Sequence, residues 1–232
     1  MNGKDYARAL NPEMVEGPYY GRGGPERSDI RDGQAGLPLE LTITVYDGTS
    51  GEPLPDSDVD LWQCNATGHY SGYDADPDEL PKDISNGQKP DNEDSFLRGR
   101  QVTDRDGRVR FRTIYPGWYV LRTPHIHLKV FTQGRCNITT QLYVPEALSQ
   151  RIYGRTGYVR KIEQDTHNHT DPVIGKYGGE NPAIWIDIGE SADGFTGRAS
   201  VTVDPTEDRE PIFVPSDRLP PLGGFEHKIP VR

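Results

Sequence analysis

Short segments in which apolar and polar residues alternate constrain this chain most, because a period of two is the pattern of a half-buried β-strand. In residues 39–47, Leu39, Leu41, Ile43 and Val45 share one face. Further strand-like segments are residues 57–63, 103–114 (an Asp-Gly turn and then a strand), 125–132, 138–144, 183–188 and 198–203. Seven or eight short strands with turn signals between them indicate a sandwich or a barrel. We expect an all-β fold, an antiparallel β-sandwich with long loops and few short helices.

The strands divide the chain into three regions. Residues 1–38 are polar and rich in Gly and Pro, which predicts an N-terminal arm. Residues 39–203 form the predicted sandwich domain, and residues 204–232 an extended, Pro-rich C-terminal tail. Within the domain, the acidic segment 74–98 is predicted to be a solvated loop, because it has little apolar content. Its Asp74, Asp76 and Asp78 do not make a calcium loop, since Glu79 stands where that motif requires glycine.

Charge and hydropathy exclude several classes of partner. The formal net charge of −10 argues against nucleic acids and anionic membranes. No apolar run approaches the roughly 20 residues that span a bilayer, and the first residues do not resemble a signal segment. We therefore expect a cytoplasmic protein, in which Cys64 and Cys136 are reduced thiols.

Two histidines on one predicted strand raise the possibility of a metal site. His125 and His127 alternate with Ile126 and Leu128, so both imidazoles point to the face opposite the core. At a spacing of roughly 6.5–7 Å, residues i and i+2 of a strand can converge on one ion. Two partly exposed histidines on a solvent face are the alternative interpretation.

Tyrosine supplies further candidate ligands. The chain has 12 tyrosines, among them Tyr119, six residues before His125, and Tyr70, which follows the second strand. A phenol has a pKa near 10 and becomes a ligand when a highly charged cation stabilises its phenolate. Fe(III) is the natural choice, whereas a packed aromatic ring is the ordinary role of any single tyrosine.

Four ordered motifs resemble the intradiol ring-cleaving catechol dioxygenases. They are LWQCNATGHYSGY, FLRGRQVTDRDGRVRFRTIYPGWY, RTPHIHLKVF and TTQLYVPE, and the preceding PLELTITVYDGTSGEPLPDSDVDLW fits the same family. The resemblance is strong over residues 14–146 and is closest to the short, single-domain branch. It implies cleavage of a vicinal aromatic diol by O2, between the two hydroxyl-bearing carbons, to a muconate-type diacid.

The resemblance also implies the residues of the site. A non-haem Fe(III) would be held by Tyr70, Tyr119, His125 and His127. Arg122 would lie beside the substrate, Gln141 near the reacting carbon, and Tyr119 would also act as a base. Tyr19 and Tyr20 are expected at the mouth of the site and in contact with the substrate.

Some features depart from the family or leave alternatives open. Leu121 occupies the position before Arg122 where the branch usually has glycine, which could narrow the pocket. The arm is too short for the helical dimerisation region of the catechol and hydroxyquinol types, so a homo-oligomer is possible but not implied. A non-catalytic β-sandwich binding module is the alternative function. His167 and His169 form a second H-x-H in a polar stretch, where solvated side chains are expected, and Arg100 is expected to anchor a loop.

Overall fold

In the described part of the chain, eight strands form two four-stranded sheets that pack face to face. The computed structural model describes residues 6–21, 23–79, 87–155, 157–160 and 162–212. The strands are β1 (Pro38–Asp47), β2 (Asp58–Trp62), β3 (Arg98–Val102), β4 (Arg108–Ile114), β5 (His125–Thr132), β6 (Arg135–Tyr143), β7 (Asp187–Ser191) and β8 (Gly194–Val203). One sheet has the order β4-β1-β8-β7 and the other β3-β2-β5-β6. The predicted β-sandwich is confirmed.

The helical content of the described residues is small. It consists of α1 (Glu146–Ile152), a π-helical turn at Ile174–Gly178 and a 3-10 turn at Pro182–Ile184. No helix in the described ranges is long and apolar enough to cross a membrane.

The alternating apolar residues form one core between the sheets. Leu39, Leu41, Ile43 and Val45 of β1 are all at most 1% exposed. They pack against the inward-facing side chains of the other sheet, which include Val59, Leu61, Ile126, Leu128, Val130 and Leu142. Burial of these side chains is the main driving force for association of the two sheets.

Three details differ from the expected strands. The β1–β8 pair is parallel, whereas every other strand pair is antiparallel. Strand β3 was not predicted, because its sequence RGRQV lacks apolar alternation. The predicted strand 183–188 begins instead as the 3-10 turn, where the Asn181 side chain accepts a hydrogen bond from Ala183 N at 2.9 Å. Ile184 and Ile186 are therefore both buried because the turn and the residues just after it pack into the interior, and not because they alternate along a strand.

The arm covers strand edges of both sheets, with Met14 N donating to Thr139 O of β6 at 2.8 Å. Further along, Arg27 N donates to Arg100 O of β3, and Ile30 N to Arg112 O of β4. These contacts occupy backbone groups that an exposed edge would leave unpaired. They also confirm that Arg100 anchors a loop, since its backbone pairs with Pro25 and Arg27.

The predictions for the two thiols, and for the first residues of the tail, can be compared with the structure. Cys64 and Cys136 are both free, as expected for reduced thiols. Tail residues 204–209 run beside β6, where Arg209 N donates to Cys136 O at 2.7 Å. Residues 213–232 of the predicted tail lie outside the described residues.

Candidate metal centre

The face of β2, β5 and β6 that is turned away from the core carries the candidate site. Cross-strand register places Trp62, His127 and Gln141 in one row, and pairs His125 with Tyr143. This second face is also buried, because the arm and the loops after β2 and β4 cover it. His125 is 1% and His127 3% exposed, so the interpretation as partly exposed histidines is wrong.

Tyr70 reaches this face through a loop organised by Asn65. The Asn65 carboxamide oxygen accepts hydrogen bonds from Thr67 N and His69 N, both at 3.0 Å, which folds the segment into a tight turn. A side chain at Gly68 would place Cβ 2.4 Å from Trp118 O, and one at Gly117 would place it 2.2 Å from Asn65 O. Glycine at both positions therefore lets this loop pack directly on the one that carries Tyr119.

Tyr119 and Arg122 are positioned by a turn between β4 and β5. Arg122 N donates to Tyr119 O at 3.1 Å, and Leu121 adopts a φ of 62°. This left-handed backbone is the region that favours glycine, because a Cβ is strained there, so Leu121 occupies a position that glycine would fit without strain. The Leu121 N–H is directed to the Asp165 carboxylate, at 3.1 and 3.2 Å from its two oxygens.

Four side-chain atoms of the predicted ligands lie within 3.0–3.3 Å of one another in series. Tyr119 Oη lies 3.3 Å from His125 Nε2, which lies 3.0 Å from His127 Nε2, which in turn lies 3.1 Å from Tyr70 Oη. Ligand atoms about 2 Å from a shared ion, at right angles, are themselves about 3 Å apart. The spacing of the four predicted ligands therefore fits a single metal ion.

The protonation of the two imidazoles supports the same interpretation. His125 Nδ1 donates to Thr123 O at 2.7 Å, which leaves a lone pair on Nε2. Burial lowers the pKa of both histidines well below the ordinary value, and the nearby Arg122 adds to this, so both are neutral. When His127 also carries its proton on Nδ1, two lone pairs face each other at 3.0 Å, an arrangement that a cation stabilises.

The two phenols need a cation before they can ionise. Burial raises the pKa of Tyr70 well above its usual value, and it raises that of Tyr119 while Arg122 partly opposes the shift. In the described part of the chain, no cluster of three or more His, Cys, Asp or Glu side chains is arranged to hold a metal ion. A metal at this place would therefore depend on tyrosine, and a hard trivalent cation suits two phenolates and two imidazoles.

Arg122 lies beside this cluster, and each of its three nitrogens has a hydrogen-bond partner. Its Nε donates to Asp171 at 2.9 Å, its Nη2 to Gln141 Oε1 at 2.5 Å, and its Nη1 lies 3.4 Å from Tyr119 Oη. Although burial alone would lower the pKa of Arg122, the Asp171 carboxylate raises it, so the positive charge is retained. The structure thus brings both predicted catalytic neighbours, Arg122 and Gln141, to the tyrosine–histidine cluster.

Asp171 and Tyr143 belong to the network but were missed by sequence reasoning. Asp171 is 2% exposed and also accepts from Val173 N and Ile174 N. Tyr143 Oη donates to Gln141 Oε1 at 2.7 Å. Asp171 stands before a proline, a pattern typical of a helical start, but nothing in the sequence indicates that its second oxygen holds Arg122.

The other predicted residues lie at different places. Tyr19 stacks on Tyr70, with ring centroids 4.8 Å apart, and lines a cavity of about 10 Å³ beside Tyr70 and Tyr119. Tyr20 packs on Trp62, and its hydroxyl donates to Asp60. His167 lies apart from the cluster, where its Nδ1 donates to Glu146 at 2.5 Å. Substrate contact by Tyr19 and Tyr20 stays a prediction.

Comparison with known proteins adds independent evidence. Residues 15–149 match the family described as Dioxygenase. The catechol 1,2-dioxygenase of Acinetobacter baylyi is 29% identical over 202 residues, which cover 74% of this chain and 59% of that protein. A chlorocatechol 1,2-dioxygenase of Pseudomonas putida is 28% identical, over 62% of this chain and 57% of that protein. The chain thus spans less than two thirds of the length of these curated relatives.

Solved structures resemble the whole domain more completely. An intradiol ring-cleavage dioxygenase from Tetranychus urticae superposes with a TM-score of 0.78 at 29% identity, covering 87% of this chain and 97% of that one. The dioxygenase domain of a carbohydrate-binding fusion protein from Streptomyces sp. SirexAA-E gives a TM-score of 0.59 at 27% identity, covering 84% of this chain and 99% of that one.

Proposed function

Because this chain belongs to the intradiol ring-cleavage dioxygenase family, we propose that it cleaves a vicinal aromatic diol with O2 between the two hydroxyl-bearing carbons. The product is a muconate-type diacid that receives both oxygen atoms. The observation that carries the proposal is the convergence of Tyr70, Tyr119, His125 and His127 at 3.0–3.3 Å in a buried site.

These four residues would hold a non-haem Fe(III). When bound, the iron would accept the diol oxygens and activate the electron-rich ring for reaction with O2. The chain offers two neutral nitrogen donors and two phenols, so phenolate formation would balance much of the ion's charge. The Thr123 carbonyl accepts a hydrogen bond from His125 Nδ1, so Nε2 is the nitrogen of His125 that would bind the metal.

The protein groups around the cluster would manage protons and charge. Tyr119 Oη, as a phenolate, would accept a proton from the bound diol. Arg122 keeps a guanidinium 3.4 Å from that oxygen, where it stabilises negative charge that develops during the reaction. Asp171 and Gln141 hold the guanidinium in place, and this removes the cost of reorienting it at the moment of reaction.

The cavity beside Tyr70 and Tyr119 limits what can bind without movement. Its volume of about 10 Å³ is close to the roughly 10–15 Å³ that a cavity must offer to hold one water molecule. A diol would therefore have to displace the Tyr119 side chain. The names of the relatives support catechol, chlorocatechols and hydroxyquinol as the first diols to screen. A cytoplasmic location and homo-oligomeric assembly stay predictions.

A visible absorption spectrum of the purified protein, with its iron content, tests the proposal. We expect a tyrosinate-to-Fe(III) band that shifts when catechol is added without oxygen. Tyr70→Phe should lose or shift this band while the fold is retained. Tyr153→Phe is the matched control, because the Tyr153 hydroxyl donates to Pro116 O away from the cluster. A protein that stays colourless after reconstitution with Fe(III) would contradict the proposal and favour the non-catalytic binding module.

A further inference from the structure

A second polar row lies beside the row that carries His127, on the same face of the sheet. Register places Asp60, Lys129 and Thr139 opposite one another across β2, β5 and β6. Asp60 and Lys129 are each 3% exposed, although charged side chains are rarely buried without a partner. Neither residue is a ligand in the proposed metal centre, so their burial needs a separate explanation.

Lys129 forms a buried ion pair with the arm. Its Nζ lies 2.7 Å from Glu16 Oε2, and the two side chains are 4% and 5% exposed. The same nitrogen donates to Thr139 Oγ1 at 2.9 Å. Removal of one partner from such a pair leaves an uncompensated buried charge, which is strongly unfavourable.

Tyr20 forms a second attachment four residues further along the arm. Its hydroxyl donates to Asp60 Oδ2 at 2.8 Å, and its carbonyl accepts from Arg98 Nη1 at 2.6 Å. The arm is therefore held at Glu16 by β5, and at Tyr20 by β2 and β3.

The residues between these attachments face the metal centre. Tyr19 stacks on Tyr70 at 4.8 Å and meets Tyr119 edge-on at 6.4 Å. At Gly17, the position of a Cβ would be 3.7 Å from His127 Cε1. Tyr19, between the two attachments, thus forms part of the wall of the cavity beside both tyrosines.

We propose that the Lys129–Glu16 and Asp60–Tyr20 pairs form a two-point clamp that holds Tyr19 as a fixed wall of the diol-binding cavity. Lys129 and Asp60 are positioning residues, and Tyr20 acts through the clamp. The inference rests on the proposed function for its effect on substrate. The docking of the arm itself can be measured without iron or diol.

The first test measures hydrogen exchange of residues 11–20 in the purified protein. In Lys129→Met, exchange in this segment should be at least about tenfold faster, because Glu16 is left buried without its partner. Adding Glu16→Gln removes the unpaired charge and should restore most of the protection. Arg151→Met, which breaks the exposed pair with Glu190, is the control and should change nothing in the segment.

The second test compares steady-state kinetics on catechol per bound iron. Clamp variants should raise KM by about fivefold and leave kcat nearly unchanged, since they loosen a binding wall and spare the reacting groups. If Lys129→Met does not fold, the same measurements are made on Tyr20→Phe, which lacks only the hydroxyl that binds Asp60.

The outcomes separate the clamp from the proposed function. Unchanged exchange and unchanged KM in both Lys129→Met and Tyr20→Phe overturn the clamp. A fall in kcat with KM unchanged also overturns it. A wild-type protein that binds iron but cleaves no diol contradicts the proposed function, while faster exchange in the variants still supports the clamp.

Discussion

At the scale of single residues, the two candidate histidine ligands are held differently. His125 is oriented by a hydrogen bond from Nδ1 to Thr123 O. His127 Nδ1 is buried and has no hydrogen-bond partner among the described residues, and the same is true of Trp62 Nε1. The two rings are instead stacked, with centroids 4.7 Å apart and planes 10° apart. Stacking on Trp62 therefore takes the place of a hydrogen bond in orienting His127.

This difference predicts that Trp62 controls retention of the metal. Trp62→Leu should release iron to a chelator about 10-fold faster or more, in the range known for partners that orient metal ligands. Trp62→Phe should be intermediate, because a smaller ring remains for stacking. Phe111→Leu, at a 1% exposed position in the other sheet, controls for the loss of a buried aromatic ring. Equal release rates for Trp62→Leu and Phe111→Leu would contradict the role of the stack.

At position 121 we expect glycine to give a more stable protein than alanine, which is the reverse of the usual order. Because its φ is 62°, Leu121→Gly should be more stable than Leu121→Ala by about 1 kcal/mol, the cost of a Cβ in left-handed backbone. At the exposed helix position 147, by contrast, Ala147→Gly should lose about 0.5–1 kcal/mol. Denaturant unfolding of these variants checks both signs. A Leu121→Ala variant more stable than Leu121→Gly would show that the turn is not strained.

At the scale of elements, the arm is part of the sandwich rather than an appendage. Its backbone pairs with β3, β4 and β6, and its side chains enter the polar face that holds the candidate site. One close approach is at β3, where a Cβ on Gly24 would lie 2.5 Å from Gly99 N and 2.8 Å from Gly99 Cα. Arm and strand can therefore meet only without a side chain at position 24.

A methyl group at this contact should separate the arm from β3. Gly24 does not have a left-handed φ, so the effect of Gly24→Ala is steric, and we expect a loss of about 1–3 kcal/mol in unfolding free energy. Gly154→Ala is the matched control, because a Cβ there meets nothing within 4 Å. It should stay within about 0.5 kcal/mol of the wild type. If the two variants unfold at the same denaturant concentration, the contact does not contribute to stability.

At the scale of the whole molecule, the candidate site joins parts of the chain that are distant in sequence. Tyr70 comes from the loop after β2, Tyr119 from the loop after β4, and the histidines from β5. An unfolded chain cannot hold these groups together, so binding of the proposed metal would be coupled to folding.

Iron should therefore raise the stability of the entire domain. At a free Fe(III) concentration 100 times the dissociation constant, the gain is about 2.7 kcal/mol, provided that the unfolded chain binds no iron. Thermal unfolding in chelator-buffered iron should show a rise in Tm that is smaller in Tyr70→Phe. An equal rise in both proteins would place the iron elsewhere.

Much of the fold followed from the sequence, because burial of one strand face imposes a period of two. The apolar residues of β1 and the Ile126–Leu128–Val130 set of β5 were predicted to face the core, and both do. The motifs around Tyr70, Tyr119 and the two histidines indicated the family, since local turns and register need particular residues at fixed spacing. Strand β3 and the turn at 182–184 were not predictable in this way. An edge strand can form with little apolar content, and a buried turn can imitate alternation.

What the sequence by itself determined was therefore most of the strands, their inward faces and the residues proposed as metal ligands. The tertiary structure alone decided that the second face of β2, β5 and β6 is buried as well, and that Asp171 holds Arg122 while Glu16 meets Lys129. These contacts join residues that are 49 and 113 positions apart. Contacts between residues so far apart produce no periodic pattern in the sequence, because they form only when the arm and the loops pack over the sheet.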